Sequence, residues 1–204
     1  IRHAATNHPH REIVSRRADG SLERSDWQTV ERHARHIAAG LADLGLKPGD
    51  RVATLAWNRL PHLELYYGVS GAGMVLHTVN PRLFPEQIRY IIDHGGARVL
   101  CVDPDLLPVV EPLLDELPKI ERVIVLADQA DMPDTKIADP ISYQSLTDGP
   151  RAIAAWPDLD ENSASALCYT SGTTGHPKGV LYSHRSTVLH AMSALANDSM
   201  SLGA

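Results

Sequence analysis

The 204-residue sequence predicts an α/β fold in which a mainly parallel sheet lies between two layers of helices. Short aliphatic runs alternate with segments whose apolar residues recur every three or four positions, the pattern of strands that alternate with helices. Strands separated by helices of this length are typical of a parallel sheet that is covered on both faces. With 43% hydrophobic residues, the chain can bury a sizeable core.

The first clear element is a helix from Trp27 to Leu44, with Ser25 and Gln28 as a possible capping box and Gly45 ending the run. Turn-forming proline and glycine residues separate the elements that follow. The sequence predicts strands at 51–56, 74–78, 98–102 and 122–127, helices at 60–72 and 85–94, and a proline-interrupted helix at 105–117.

This alternation predicts a first αβ subdomain at residues 1–127. An acidic, proline-containing connection without periodicity covers 128–163. A second subdomain begins at 164–204, with strands at 164–169 and 179–182 and a helix at 184–197. Because no further strands follow, we expect the chain to be the N-terminal part of a larger protein.

Charge and composition exclude several classes of function. The formal net charge is −6 and no block of lysine or arginine occurs, so neither nucleic acid nor an anionic membrane is an expected partner. No apolar run is long enough for a membrane span, so membrane contact is at most peripheral. Cys101 and Cys168 lie in apolar runs, which predicts small buried thiols and a reducing, cytoplasmic location.

A loop rich in glycine and hydroxyl residues follows the strand at 164–169. Its glycines let the main chain approach a ligand closely, its hydroxyl groups donate hydrogen bonds, and Lys178 adds a positive charge. The predicted phosphate-binding residues are Thr170, Ser171, Gly172, Thr173, Thr174, Gly175, Lys178 and Gly179. Pro177 stands where the P-loop motif requires glycine, so that motif is excluded. An ordinary hairpin between two strands is the alternative interpretation.

The string from Leu167 to Lys178 resembles the signature of the adenylate-forming enzymes, which are acyl-CoA synthetases, luciferases and peptide-synthetase adenylation domains. Residues 76–83 and 87–92 resemble the fatty acyl-CoA synthetase branch. The resemblance covers the chain from Trp27 onward. It implies a Rossmann-like three-layer αβα fold that forms part of the large N-terminal domain of an acyl-CoA synthetase.

The reaction that this resemblance implies has two steps. A fatty acid carboxylate first reacts with ATP to give acyl-AMP and pyrophosphate, and coenzyme A then displaces AMP. The resemblance implies that Lys178 is catalytic, that the loop holds the β- and γ-phosphates, and that Thr170 contacts Mg²⁺. It also allows a homodimer.

Two other functions stay open. One is a non-catalytic nucleotide- or phosphate-binding module, and the other is a ligase for aryl or other carboxylic acids. The family's adenine-binding and ribose-binding motifs and its C-terminal catalytic lysine follow the phosphate loop and are absent from these 204 residues. By itself the chain is therefore expected to be inactive.

Other candidate residues carry weaker signals. His33 and His36 are one helical turn apart, and a solvent-exposed helix face is the expected role. Gly71 and Gly73 have the spacing of a dinucleotide turn but precede a strand, which favours a structural role. Three further residues, in or after the phosphate loop, are candidates to contact an anion or to support the loop: His176, His184 and Arg185.

Overall fold

The structure, a computed structural model, describes residues 1–17, 19–170 and 176–196. The N-terminal segment forms a short helix and a two-stranded antiparallel hairpin, neither of which was predicted from the sequence. These elements are α1 (Arg2–Asn7), β1 (Glu12–Arg16) and β2 (Leu22–Asp26). The hairpin contacts the main body where the Ser15 hydroxyl accepts a hydrogen bond from the Leu60 backbone N–H at 3.0 Å.

The main body is built from alternating strands and helices, as predicted. In chain order these are α2 (Trp27–Asp43), β3 (Arg51–Leu55), α3 (Leu60–Gly71), β4 (Val75–Val79), α4 (Pro85–Gly95), β5 (Ala97–Val102), α5 (Leu107–Val110), β6 (Arg122–Val125), β7 (Ile141–Ser142), α6 (Tyr143–Thr147), β8 (Ala164–Thr170), β9 (Lys178–Ser183) and α7 (His184–Leu195). Short 3₁₀ turns flank α5 at Pro104–Leu106 and Glu111–Glu116, and another spans Gln129–Asp131.

The strands form one seven-stranded sheet in the order β7-β6-β5-β3-β4-β8-β9. All neighbouring strands are parallel except β8 and β9, which pair antiparallel at one edge. Helices cover both faces. On one face α2, α3 and α6 pack over Val52 and Leu76, and on the other α4 and α5 pack over Leu55 and Leu100. The predicted three-layer α/β fold is confirmed.

The predicted capping box at the start of α2 is wrong. Ser25 pairs with Ile13 and still belongs to β2, so the helix begins one residue later than that motif requires. Asp26 is the N-cap instead, and its carboxylate accepts the Thr29 backbone N–H at 2.8 Å. This bond satisfies one of the free N–H groups of the first helical turn.

The predicted helix at 105–117 is broken into α5 and the two 3₁₀ turns that flank it. Pro108 and Pro112 lie inside this segment. Proline has no backbone N–H and its ring clashes with the preceding turn, so the hydrogen-bond ladder of a continuous helix cannot form there.

The connection at 128–163 contains β7 and α6, which the sequence did not predict. Leu146 of α6 packs so closely on α2 that a Cβ placed on Gly40 would lie 2.6 Å from it. Tyr143 donates a hydrogen bond to the buried carboxylate of Glu64 on α3. Farther along, the Trp156 indole donates to Glu31 of α2 at 3.1 Å. The connection therefore folds back onto the helical layer.

The expectation that His33 lies on a solvent-exposed helix face is wrong. Its Nδ1 lies 3.0 Å from Glu64 Oε1, and the ring is largely buried between α2 and α3. Tyr143 binds the other oxygen of the same carboxylate. A buried carboxylate requires such partners. They come from α2 and α6, so the contacts of Glu64 join these two helices to α3.

At the far edge of the sheet, β8 pairs with β4 and so extends the sheet built by residues 51–142. The predicted subdomain boundaries stay predictions. The four large apolar residues of α7 are all more than half exposed, namely Val188, Leu189, Met192 and Leu195. In the described ranges, no helix combines the length and apolar character needed to cross a membrane.

Candidate functional site

The sheet topology opens a crevice at the carboxyl ends of β3 and β4. The chain leaves β3 for α3 on one face of the sheet, and leaves β4 for α4 on the opposite face. It then crosses to β5 on the other side of β3. The loops that follow β3 and β4 therefore diverge. Ligands of open α/β sheets bind in such crevices.

The crevice has a volume of about 400 Å³. Its walls come from the loops after β3 and β4, from α3, and from the last residues of β8. Polar side chains lie on all of these segments: Asn58, His62, Thr78, Asn80, Arg82, Cys168 and Tyr169. The polar residues of the two loops were not predicted from the sequence. The available signal was the presence of polar residues directly after parallel strands.

Asp103, at the carboxyl end of β5, fixes the loop after β3. Its buried carboxylate accepts the Trp57 backbone N–H at 2.6 Å and lies 3.5 Å from the Arg59 guanidinium. The Trp57 indole N–H binds Asp105 at 2.8 Å. Burial raises the pKa of Asp103, while the Trp57 N–H and Arg59 act in the opposite direction. These contacts hold one wall of the crevice against the neighbouring strand.

His62 lies on the same side of the crevice. Its Nε2 is 3.0 Å from the hydroxyl of Thr54, a fully buried residue of β3. Burial lowers the pKa of His62, so the neutral imidazole is favoured. The crevice therefore combines a neutral imidazole, carboxamides and a guanidinium, groups that bind polar and anionic parts of a ligand.

The predicted phosphate loop leaves β8 beside this crevice. Its two ends pair directly, with Thr170 opposite Lys178 in the β8–β9 ladder. Directly paired residues place their side chains on one face, and both are exposed. In β8 this is the face of Cys168, whose Sγ lies 3.3 Å from the Thr78 hydroxyl in the crevice. Thr170 and Lys178 thus lie on the same face of the β8–β9 ladder as Cys168, one of the residues that line the crevice.

Five of the predicted phosphate-binding residues, Ser171, Gly172, Thr173, Thr174 and Gly175, lie outside the described residues. Gly179 is described as part of β9. A Cβ at this position would lie 3.1 Å from the ring of Tyr169, so glycine leaves room for that ring. The predicted role of Gly179 in phosphate binding stays a prediction.

Tyr169 faces α4, on the opposite face from Lys178. Its hydroxyl lies 2.6 Å from His94 Nδ1, and its ring lies 5.3 Å from that of His77. On the far side of the loop, His176 is exposed, and its ring stacks on that of Tyr90 at a centroid distance of 4.7 Å. Both ends of the loop therefore contact α4.

His77 of β4 is fully buried beneath these rings. Neither ring nitrogen has a hydrogen-bond partner among the described residues. Burial and the nearby Arg51 charge lower the pKa of His77 to about 4, so the ring is neutral at physiological pH. The ring fits against Gly95 of α4, where an added Cβ would lie 2.5 Å from His77 Cε1.

The predicted role of His184 and Arg185 as anion ligands gains no geometric support. Ser183 caps α7 by accepting the Ser186 N–H at 3.1 Å. The Arg185 guanidinium pairs with Glu161 at 2.5 Å. Burial lowers the pKa of His184.

Cys101 is fully buried as predicted, and burial raises the pKa of its thiol to about 12.

Within the described residues, no group of three or more histidine, cysteine, aspartate or glutamate side chains is placed to hold a metal ion. Mg²⁺ in nucleotide sites commonly has one or two protein oxygen ligands and is otherwise bound by phosphates and water. The exposed Thr170 hydroxyl fits an ion held in that way.

Comparison with known proteins gives a match to the family model of AMP-binding enzymes over residues 1–203. The chain is 48% identical over its full length to a medium-chain-fatty-acid–CoA ligase of Ectopseudomonas oleovorans, of which it covers 37%. It is also 48% identical over 97% of its length to a 3-methylmercaptopropionyl-CoA ligase of Ruegeria lacuscaerulensis, and it covers 37% of that protein. The chain thus spans little more than a third of these relatives.

The acetoacetyl-CoA synthetase of Streptomyces lividans is a solved structure with the same fold. The TM-score is 0.81 at 21% identity, and the match covers 94% of this chain and 31% of the synthetase. At this level of identity the likeness concerns the fold. It confirms the predicted three-layer architecture.

Replacement of His77 by leucine is expected to reduce the sensitivity of the fold to acid. The pKa of His77 is about 4 in the folded chain and near 6.5 when exposed. Between these values the unfolded chain binds the extra proton, so wild-type stability falls as the pH falls. The full difference corresponds to about 3 kcal/mol.

Urea unfolding at about pH 7 and about pH 4.5 measures this effect. Wild type should lose about 2 to 3 kcal/mol more than His77→Leu between the two conditions. The exposed His190 serves as control, since His190→Leu should leave the wild-type dependence intact. An equal loss in wild type and His77→Leu would contradict the prediction.

Proposed function

Because this chain belongs to the family of AMP-binding enzymes, we propose that it forms the N-terminal part of an ATP-dependent fatty acid–CoA ligase. The observation that carries the proposal is the position of the loop. Thr170 and Lys178 flank a glycine- and hydroxyl-rich segment at the carboxyl edge of a parallel sheet, on the side of the polar crevice.

The proposed reaction has two balanced steps. A carboxylate oxygen attacks the α-phosphorus of ATP, the bond between that phosphorus and the bridging oxygen to the β-phosphate breaks, and pyrophosphate leaves. The thiolate sulfur of coenzyme A then attacks the acyl carbonyl carbon. The bond from this carbon to the phosphate oxygen breaks, and AMP departs with that oxygen. The thiol proton passes to solvent.

In the first step, negative charge increases on the departing pyrophosphate. Catalysis of phosphoryl and nucleotidyl transfer depends mainly on positioning and on electrostatic stabilisation. The Lys178 ammonium would lie beside the β- and γ-phosphates and offset their charge. The hydroxyl and backbone N–H groups of residues 170–175 would bind the phosphate oxygens.

Mg²⁺ supplies positive charge next to the phosphate oxygens when it is bound. Thr170 is the residue of this chain proposed to contact it. Thr170 is the last residue of β8 before the loop, and it pairs with Lys178 in the β8–β9 ladder. The two side chains would therefore hold the triphosphate from neighbouring positions.

A fatty acid is the proposed acyl substrate, supported by the 48% identity to a medium-chain-fatty-acid–CoA ligase. The chain has the same 48% identity to a 3-methylmercaptopropionyl-CoA ligase, so several carboxylic acids should be tested as substrates. The exposed apolar residues of α7 support the proposal that the rest of a longer protein covers this surface. A cytoplasmic location, a role in lipid metabolism and a homodimer stay predictions.

The test is carboxylate-dependent exchange of labelled pyrophosphate into ATP by the full-length protein. The panel runs from acetate to palmitate and includes benzoate, 3-methylmercaptopropionate and amino acids. We expect exchange with medium- or long-chain fatty acids. Exchange with benzoate alone would identify an aryl ligase, and exchange with no acid would favour the non-catalytic binding module.

Replacement of Lys178 by alanine is expected to slow pyrophosphate exchange by roughly 100- to 1,000-fold, the usual cost of losing a charge-stabilising group. Lys178→Arg should retain more activity because it keeps the positive charge. Lys136→Ala is the matched control, because Lys136 is an exposed lysine beside a different pocket. A wild-type exchange rate in folded Lys178→Ala would contradict the role of Lys178.

A further inference from the structure

Five aromatic rings connect α4 to both ends of the phosphate loop. This ring cluster consists of His77, Tyr90, His94, Tyr169 and His176. Tyr90 and His94 are one turn apart on α4 and stack on each other at 5.3 Å. The other rings come from β4, from the end of β8 and from the start of the chain that returns to β9.

The two contacts on either side of the loop differ in kind. Before the loop, Tyr169 meets His94 edge-on at 5.9 Å, and its hydroxyl lies 2.6 Å from His94 Nδ1. After the loop, the His176 ring lies on Tyr90 at 4.7 Å with an interplanar angle of 25°. Such stacked and edge-on arrangements are the preferred geometries of aromatic pairs.

The position of α4 is itself fixed. Ile88, Ile91 and Ile92 are fully buried against the sheet, and His77 packs against Gly95 at the end of the helix. The rings that touch the loop belong to the other side of α4, where Tyr90 is half-buried and His94 is exposed. Tyr90 also packs against the core beneath α4, and the other ring contacts of Tyr90 and His94 are with each other and with His176 and Tyr169 at the two ends of the loop.

We infer that Tyr90 and His94 are positioning residues, which hold the two ends of the phosphate loop at the spacing that triphosphate binding requires. This inference rests on the proposed function. Tyr90 touches no reacting atom; it acts through His176. Because small displacements of a binding group are costly in catalysis, loss of the stack should reduce the use of ATP while the fold persists.

The experiment is a double-mutant cycle on the full-length protein with Tyr90→Ala and His176→Ala. Either change removes the same stack, so each should raise the KM for ATP and lower kcat/KM in pyrophosphate exchange by roughly 10-fold or more. The KM for the acid should not change. The double variant should be little worse than Tyr90→Ala, because the contact with His176 is already lost in that variant.

Tyr90→Phe keeps the ring and should restore near wild-type kinetics. Tyr67→Ala is the matched control, since Tyr67 contacts Trp27 edge-on at 6.2 Å, on α3 and α2. That variant removes an aromatic pair from another part of the fold and should not change the KM for ATP. Melting temperatures of all variants identify any that are unfolded, and His176→Ala tests the same contact from the exposed side.

Calorimetric titration with ATP alone separates this inference from the proposed function. If wild type binds ATP but exchanges pyrophosphate with no acid, the proposed reaction fails, and weaker ATP binding by Tyr90→Ala would still support positioning. Additive effects in the cycle, or unchanged ATP affinity in both single variants, would overturn the inference. Wild type that binds no ATP would overturn both.

Discussion

The divergence of the chain at β3 and β4 is the constraint on which the site depends. The helices α3 and α4 each carry an apolar side that must be buried, and they are buried on opposite faces of the sheet. The loops that lead to them cannot close over the ends of the two strands. A polar crevice remains there, and β8 joins β4 so that the predicted phosphate loop begins at its rim.

Polar contacts then give this opening a defined shape. Asp103 holds the loop after β3 through the Trp57 N–H and Arg59, and His62 is fixed by the Thr54 hydroxyl. On the other face, the ring cluster joins α4 to Tyr169 and His176, which lie on either side of the predicted phosphate loop. Apart from the contact between Thr54 and His62, these contacts join elements that are distant in the sequence, so the site depends on the strand order of the sheet.

The sequence predicted most of the sheet and the helices that cover it, because long periodic segments carry strong signals. The helix α4, with proline at its start and Gly96 at its end, is an example. The first residue of α2, Trp27, was predicted correctly, but its cap was assigned to Ser25 instead of Asp26. Both residues are good caps, and only the pairing of β2 distinguishes them. The elements β7 and α6 were missed because they are too short to show a period.

The site was predicted only where the loop residues lie next to one another in the sequence. Thr170 and Lys178 belong to one local motif, and the structure pairs them. Asp103, Tyr90 and His94 carry no local signal, since their partners are reached only through the fold. The burial of His33 was missed for the same reason, because its partner Glu64 lies on another helix.

Isotope transfer tests the central claim, formation of an acyl-adenylate at this site, most directly. The full-length protein is incubated with ATP, coenzyme A and a fatty acid labelled with ¹⁸O in its carboxylate, and the products are analysed by mass spectrometry. Attack of the carboxylate on the α-phosphorus predicts one ¹⁸O atom in AMP and none in pyrophosphate. Label in inorganic phosphate, with ADP as the nucleotide product, would contradict the account.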